Sequence, residues 1–459
     1  MGLGAFARAH TAVFTEDAML STGDYGWGII GVTQRSDAVA RQLVPQDGLF
    51  TVAERGEGAA PLRVVSSIVE AISGRDTPEQ VVERIAAPAT KIVTLTITEK
   101  GYRFDPQTRT LDLADEDIQA DLAGRPPLTA IGQVVRGLQQ RATAGAGPVT
   151  VLSCDNLPAN GELAATLATG FAAALPPAES GPLLAWMRDN VTFPSTMVDR
   201  MVPATTDGDL AAVERELGVR DEAAVVAEPF KQWVMEDDFA AGRPRWEDAG
   251  ALFSDDVAAW ESAKLRLLNA SHSMLAYLGL LAGRETISDA VAVEPFRSVC
   301  RRMMLEEALP SITLPAGLDG EQYCDEVLRR FANPSLGHTT AKVGSDGSQK
   351  IGLRLLTTVR GTLDAGRAPT WSALAVAAWM HHVANNPEQD LNDPLAQELQ
   401  AALPADRTAG TVVTALLGFR PVVEPALAGN KDFRDLLLHW YRIIETNGPD
   451  GLGNELNHG

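Results

Sequence analysis

The sequence predicts an α/β N-terminal half followed by a mostly α-helical C-terminal half. Three observations carry this reading. Short β-branched, apolar runs alternate with helical stretches up to about residue 252. From residue 253 onward the apolar residues recur at helical spacing in one stretch after another. And the first of those stretches, beginning at Asp255, reads as one long helix with polar residues gathered on one side. The expected domains are therefore residues 1–252 and 253–459.

Taken in order, the chain opens with MGLGAFARAH. Gly2 and Gly4 form a G-x-G turn leading into the helical stretch FARAHTAVFTEDAML. Such a turn lets the backbone approach a pyrophosphate. The third glycine of the full dinucleotide pattern is replaced by Ala7, so a plain glycine turn is the competing reading. YGWGIIGVTQRSD (25–37) reads as a buried strand. An acid that reads the ribose is expected after the second strand of a dinucleotide fold, and Asp37 is the candidate. Arg35 beside it could instead welcome a 2′-phosphate. NAD is favoured over NADP, against the alternative that both residues are loop charges. PQDGLFTVAER (45–55) and PLRVVSSIVEAI (61–72) read as a hairpin-like pair followed by a helix entry.

KIVTLTITEKGY (91–102) reads as a core strand. Its end, Thr98, Glu99 and Lys100, belongs at the carboxyl edge of the sheet, where open α/β sheets bind ligands. GPVTVLSCDNLPANG (147–161) gives strand, turn and helix start, with Asp155, Asn156 and Asn160 clustered at the strand's end. Turn-forming side chains are the equal alternative there. The stretch from Val225 to Trp246 alternates strand-like residues with turns.

Composition narrows the function. With 459 residues, 45% hydrophobic and 22% charged, the chain has an ordinary globular profile. A net charge of −21 disfavours nucleic acid and anionic membranes as partners. No run of about 18 apolar residues suggests a membrane span. No signal-peptide pattern opens the chain. Cys154, Cys300 and Cys324 are widely spaced and odd in number, as expected of reduced core thiols in a cytoplasmic protein. No cysteine or histidine spacing indicates a metal site.

The long helix concentrates the chemistry. At about 100° per residue, with Lys264 at zero, Glu261 falls near ~60°, His272 near ~80° and Asn269 near ~140°. An amine, a carboxylate, an amide and an imidazole on one face suit carbonyl–alcohol chemistry. A solvated helix face is the plainer reading, but the flanking residues (LRLLN, MLAYLGLL) are apolar enough for burial.

Lys264, Asn269 and His272 stand as K-x-x-x-x-N-x-x-H. This spacing resembles the mannitol dehydrogenase family, the polyol-specific long-chain dehydrogenases. GLGAFARAH, PQDGLFTV, TLTITEKGY, VLSCDNLPANG, FPSTMVDRMVP, EPFKQWVMEDDFAAGRP and RFANPSLGH…DGSQK resemble it too, in order, over about three quarters of the chain.

The resemblance implies a Rossmann-like first domain whose first strand precedes the glycine loop. Here the chain starts at Met1, inside that motif, so the first strand is expected to be missing. It implies a coenzyme site including Gly2, Gly4, Phe6, Arg35, Asp37, Thr98, Glu99, Lys100 and Asp155. It places Asn156 beside the reacting carbonyl and Asp199 of V-D-R near the substrate; Arg200 is a further substrate-site candidate, with a structural ion pair between Asp199 and Arg200 as the alternative reading. His338, Lys342 and Lys350 would contact substrate oxygens, although Lys342 stands where an Arg is usual and lacks its planar fork.

In the implied reaction the coenzyme carries the hydride and Lys264 exchanges the proton, provided burial and Arg266 or His272 lower its pKa. Asn156 and Asn269 would hold the developing oxyanion, and His272 would orient a hydroxyl. Glu261 would tune Lys264 or gate proton exit. The expected activity is a metal-independent, NAD-dependent interconversion of the C2 alcohol and ketone of an open-chain six-carbon sugar acid or alcohol. D-mannonate and D-fructuronate are favoured. Mannitol 2-dehydrogenase and mannitol-1-phosphate 5-dehydrogenase activities are the alternatives, and an inactive, truncated sugar-binding remnant is the non-enzymatic one. The resemblance implies a monomer.

Overall fold

The computed structural model describes residues 1–458. The chain divides into two compact units, Met1–Ala258 and the remainder from Ala259. None of its described helices is long and apolar enough to cross a membrane.

The first unit is built on parallel strands. Ile68–Ser73 pairs with Ile29–Thr33, and Ile92–Leu95 pairs with Val149–Ser153, which pairs with Val191–Thr192. Residues 1–3 bridge the two groups. Gly2 and Leu3 donate to the Val32 carbonyl at 2.8 and 2.9 Å, and Thr96 donates to the Met1 carbonyl at 2.9 Å. The spatial order is thus 68–73, 29–33, 1–3, 92–95, 149–153, 191–192, which is the doubly wound nucleotide-binding order. Residues 1–3 hold the central place in this order. A cavity of about 350 Å³ opens beside Met1, between the edges carrying Ile29 and Ile92.

The central strands are largely buried, small hydroxyl residues such as Thr150 and Ser153 included, because helices cover both faces. All five residues of Val149–Ser153 are buried. Helices Pro78–Ala86, Ala130–Ala144 and Asn160–Ala174 pack on the same core, through Ile85, Val135, Leu138, Leu167 and Phe171.

Two expectations change in detail. Phe50–Glu54 does pair antiparallel with Arg63–Val65. The chain then makes another strand, Ile68–Ser73, and its helix begins only at Pro78. The first helical stretch also divides, into Ala5–Ala9 and Thr11–Thr22, at His10 (φ −120°, ψ −82°). His10 is fully buried. Its ring stacks on Phe6 at 4.8 Å and meets Phe14 and Trp233, while Nε2 bonds the Gln232 carbonyl at 2.9 Å.

The second unit is helical. The Ala270–Leu281 helix is its hub, packed against Thr370–Asn385, Thr340–Gly344, Ile287–Val291 and Glu294–Arg302. Met274, Leu275, Ala276 and Leu278 on it are fully buried. Gly279 lets two of these neighbours in: a Cβ there would meet Thr340 Cγ2 at 2.7 Å and Ala290 Cβ at 3.0 Å. All three cysteines are buried and free.

Candidate active site

In the first unit, residues at the carboxyl ends of the strands enclose a cavity of about 360 Å³ lined by Gly2, Gly4, Arg35, Ser36, Thr98 and Lys100, among others. Gly2 must be glycine. Its φ is +83°, and a Cβ would lie 2.2 Å from the Thr96 carbonyl oxygen. At Gly4 the nearest atom to a Cβ is the Gly2 oxygen at 3.8 Å, so the absent side chain leaves open room at the cavity. A backbone bared to a cavity flanked by Arg35 and Lys100 fits a phosphate-bearing nucleotide. Arg35 Nη2 donates to Thr98 Oγ1 at 2.8 Å.

The other expected coenzyme residues fall differently. Asp37 precedes the Ala38–Leu43 helix, is ion-paired with Arg41 and does not line the cavity. A short loop turns it toward the helix, so Arg35 and Ser36 meet the cavity in its place. Glu99 is exposed and outside the lining, and Phe6 packs on His10. Asp155 accepts from Tyr102 Oη at 2.5 Å and from Ser153 Oγ at 3.4 Å. Burial raises its pKa to about 7.

Asn156 is exposed on the turn after Val149–Ser153. Asn160 is buried and acts as a local clamp. Its amide donates to the carbonyls of Asp155 and Thr196 at 3.0 and 2.9 Å and accepts from Thr196 N at 2.9 Å. Asp199 is buried at the end of Thr196–Asp199. Arg200 is held inside the protein by its own partners. Its side chain is fully buried, paired with Glu54 at 2.7 Å, and donates to the carbonyls of Glu228 and Ala9.

In the second unit, the long polar helix is not one regular helix. Val257–Ala263 and Ala270–Leu281 are α-helical, but Lys264–Asn269 forms a π-helical turn. Hydrogen bonding from i to i+5 widens the turn. Asn269, five residues after Lys264, is therefore brought nearer the azimuth of Lys264 than the ~140° of a regular helix. Both residues are buried, at 9% and 7% exposure. The Asn269 amide has no protein partner among the described residues. Arg266 lies off the polar arc, donating to Thr358 Oγ1 and Ser311 Oγ at 2.6 Å each.

His272 lies flat on Phe331, with ring centroids 4.7 Å apart, and 6.0 Å from the ring of His338. Its Nε2 is buried without a hydrogen-bond partner. Burial, then His338 and Arg354, hold its pKa well below the ordinary histidine value, so the ring is neutral. An orphaned imidazole nitrogen beside an unpartnered amide and a buried amine is an arrangement that receives a polar ligand.

The segment after His338 supplies positive charge. Lys342 is exposed. Lys350 donates to the Ser345 carbonyl at 2.6 Å and faces Asp346 at 3.8 Å. Burial, then Arg354, lower its pKa to about 8. Gly347 of D-G-S-Q-K has no room for a side chain: a Cβ would meet Tyr277 Oη at 2.6 Å and Trp379 Nε1 at 2.7 Å. Tyr277 Oη donates to the Gly344 carbonyl at 2.9 Å, and Asp393 accepts from Ser348 N at 2.7 Å. The loop is thereby fixed to the hub helix of the same unit.

Two features escaped the sequence reading. Arg354 belongs to a second π-helical turn, Gly352–Leu356, packed against Lys264–Asn269. Its spacing of four from Lys350 was the available signal. A third such turn, Met303–Ala308, also packs on Lys264–Asn269. Nothing in apolar periodicity marks these turns.

Comparison with known proteins agrees with this architecture. Residues 1–248 match the mannitol dehydrogenase Rossmann domain, and residues 256–443 match the mannitol dehydrogenase C-terminal domain. The chain is 42% identical over 457 residues to D-mannonate oxidoreductase of Escherichia coli, covering 98% of this chain and 93% of that protein. It is 37% identical over 412 residues to mannitol 2-dehydrogenase of Phaeosphaeria nodorum, covering 87% and 72%. The structure of Pseudomonas fluorescens mannitol 2-dehydrogenase in ternary complex with NAD and D-mannitol superimposes with a TM-score of 0.87 at 33% identity, covering 100% of this chain and 93% of that one. The chain belongs to the mannitol dehydrogenase family of oxidoreductases.

Proposed function

We propose that this protein is an NAD(H)-dependent dehydrogenase that interconverts an open-chain six-carbon sugar acid and its keto form, D-mannonate and D-fructuronate, at the carbon that is C2 of the ketose and lies remote from the carboxylate. The observation that carries the proposal is the unpartnered pair, His272 Nε2 and the Asn269 amide, set beside buried Lys264 in a neighbourhood rich in cations. The similarity to D-mannonate oxidoreductase supports the sugar acid.

The nicotinamide coenzyme, when bound, supplies or accepts the hydride. Gly2, Gly4, Arg35 and Thr98 would hold its phosphate and ribose groups. In the reducing direction, Lys264 gives its ammonium proton to the ketone oxygen as the alcohol forms. In the oxidising direction, the neutral amine takes the hydroxyl proton. Asn269 donates to the oxygen on which negative charge develops. Neutral His272 bonds a neighbouring hydroxyl through Nε2 and sets the sugar's orientation. Glu261, about one helical turn before Lys264, is positioned to pass the proton onward.

One observation favours a second coenzyme reading. Arg35 lines the nucleotide cavity while Asp37 is tied to Arg41. That arrangement also accommodates a 2′-phosphate, so NADPH is the alternative coenzyme.

The test is NADH or NADPH consumption with fructuronate, tagaturonate, fructose and fructose 6-phosphate. Fructuronate reduction with NADH is expected to dominate. Fast fructose reduction without fructuronate activity would overturn the sugar-acid reading.

A further inference from the structure

Arg354 differs from Arg141, Arg200 and Arg266 in how its guanidinium donors are used. Arg141 uses its guanidinium on five backbone carbonyls, and Arg200 on an acid and two carbonyls. Arg354 directs Nη1 alone at the protein, to Ser273 Oγ at 3.1 Å and the Asn269 carbonyl at 3.4 Å. Its Nε and Nη2 donors have no protein partner among the described residues, and it makes no ion pair there. The residue is only half-buried, so this edge is open to an anionic ligand. The unused Nε–Nη2 edge is the fork that binds a carboxylate through two parallel hydrogen bonds.

Its position gives that fork a purpose. Ser273 and Asn269 flank His272, whose Nε2 is open, and Lys350 lies one turn before Arg354. The amide proposed to polarise the ketone and the carbonyl touched by Arg354 belong to one residue, Asn269. A few bonds likewise separate the ketone from the far end of a six-carbon chain.

We propose that Arg354 is the residue that selects a sugar acid, binding the carboxylate at the end of the substrate remote from the ketone, with Lys350 beside it. This rests on the sugar-acid reading above. It predicts that substrates ending in a carboxylate are preferred over the same ketose ending in CH2OH.

The experiment compares the full chain with Arg354→Met and Arg354→Lys, using D-fructuronate and D-fructose as substrates. kcat and KM are read separately, and NADH affinity is read by fluorescence. For Arg354→Met, kcat/KM with fructuronate is expected to fall about 100-fold, chiefly through KM. Fructose reduction and NADH affinity should stay within about threefold. Arg354→Lys should recover part of the loss, because charge remains without the fork. Equal losses on both substrates, or no loss on either, would overturn the proposal. A second arm needs no variant. D-gluconate should inhibit the unmutated protein and D-glucitol should not, and equal inhibition by the two would overturn the proposal even if both variants fail to fold. If the unmutated protein reduces fructose and no uronate, the sugar-acid reading itself fails. Uronate reduction indifferent to Arg354→Met defeats only the assignment of Arg354.

Discussion

The imidazole of His272 lies on the ring of Phe331, with planes 22° apart. The stack fixes the ring while leaving Nε2 free of protein partners. Replacing Phe331 by Leu keeps the volume roughly and removes the stack. Such pairs are worth about 0.5–1.5 kcal/mol, so kcat/KM for the sugar should fall about 3- to 10-fold. NADH affinity should be unchanged. Steady-state kinetics with a fluorescence titration checks both halves.

Asn269 presents an amide with no protein partner among the described residues. If it stabilises the oxyanion, Asn269→Ala should lower kcat about 100- to 1,000-fold, with KM little changed. A loss confined to KM would make it a binding contact instead.

Gly2 and Gly4 separate two roles that a glycine motif usually merges. At Gly2 a Cβ would strike the Thr96 backbone, so Gly2→Ala should both lower the unfolding temperature and abolish NADH binding. At Gly4 the backbone is extended (φ −96°, ψ −172°) and a Cβ has room within the protein. Gly4→Ala should therefore fold normally and still lose NADH affinity by about tenfold or more, because close backbone approach is lost. Thermal unfolding alongside NADH titration distinguishes the two.

Much of this was legible in the sequence, for physical reasons. Val149–Ser153 is buried throughout and therefore reads as a β-branched, mostly apolar run without charged residues. The break to helical spacing near residue 253 is equally plain, because the outer helices of the second unit, such as Glu294–Arg302, bury one stripe. The site was less legible. A wheel at 100° per residue placed Asn269 too far from Lys264, because periodicity does not register the π-helical turn. Spacing from the glycine loop offers Asp37 as a ribose-reading acid, with Arg35 beside it as a candidate for a 2′-phosphate. The structure pairs Asp37 with Arg41, a local contact that spacing from the glycine loop cannot show. Arg354 was hidden in a stretch read only as helix. Its significance lies in partners it lacks, and a sequence does not display those.

Lys350 gives the pH dependence. Its amine is charged below its pKa and neutral above it, and burial with Arg354 nearby brings that pKa to about 8. Asp346 and Asp393 oppose the shift. The charge that assists a carboxylate is thus present below pH about 8 and lost above it. KM for fructuronate should rise by up to about tenfold per unit above that value. KM for fructose should show no such limb.

Asp155 gives a stability prediction of defined sign. Its folded pKa, about 7, exceeds the ordinary carboxylate value because burial disfavours the charge. Its favourable contribution is therefore complete below about pH 4 and disappears as pH rises through 7. Asp155→Asn should accordingly gain in unfolding temperature relative to the unmutated protein between pH 5 and pH 8. A constant difference across that range would refute the assignment.

The central claim is that Lys264 moves the proton in carbonyl–alcohol interconversion. The direct measurement is turnover of Lys264→Ala across pH 6 to 10, in a protein whose NADH binding is intact. Turnover below a thousandth of the unmutated rate at every pH is the predicted result. Turnover above that level at any pH would contradict it.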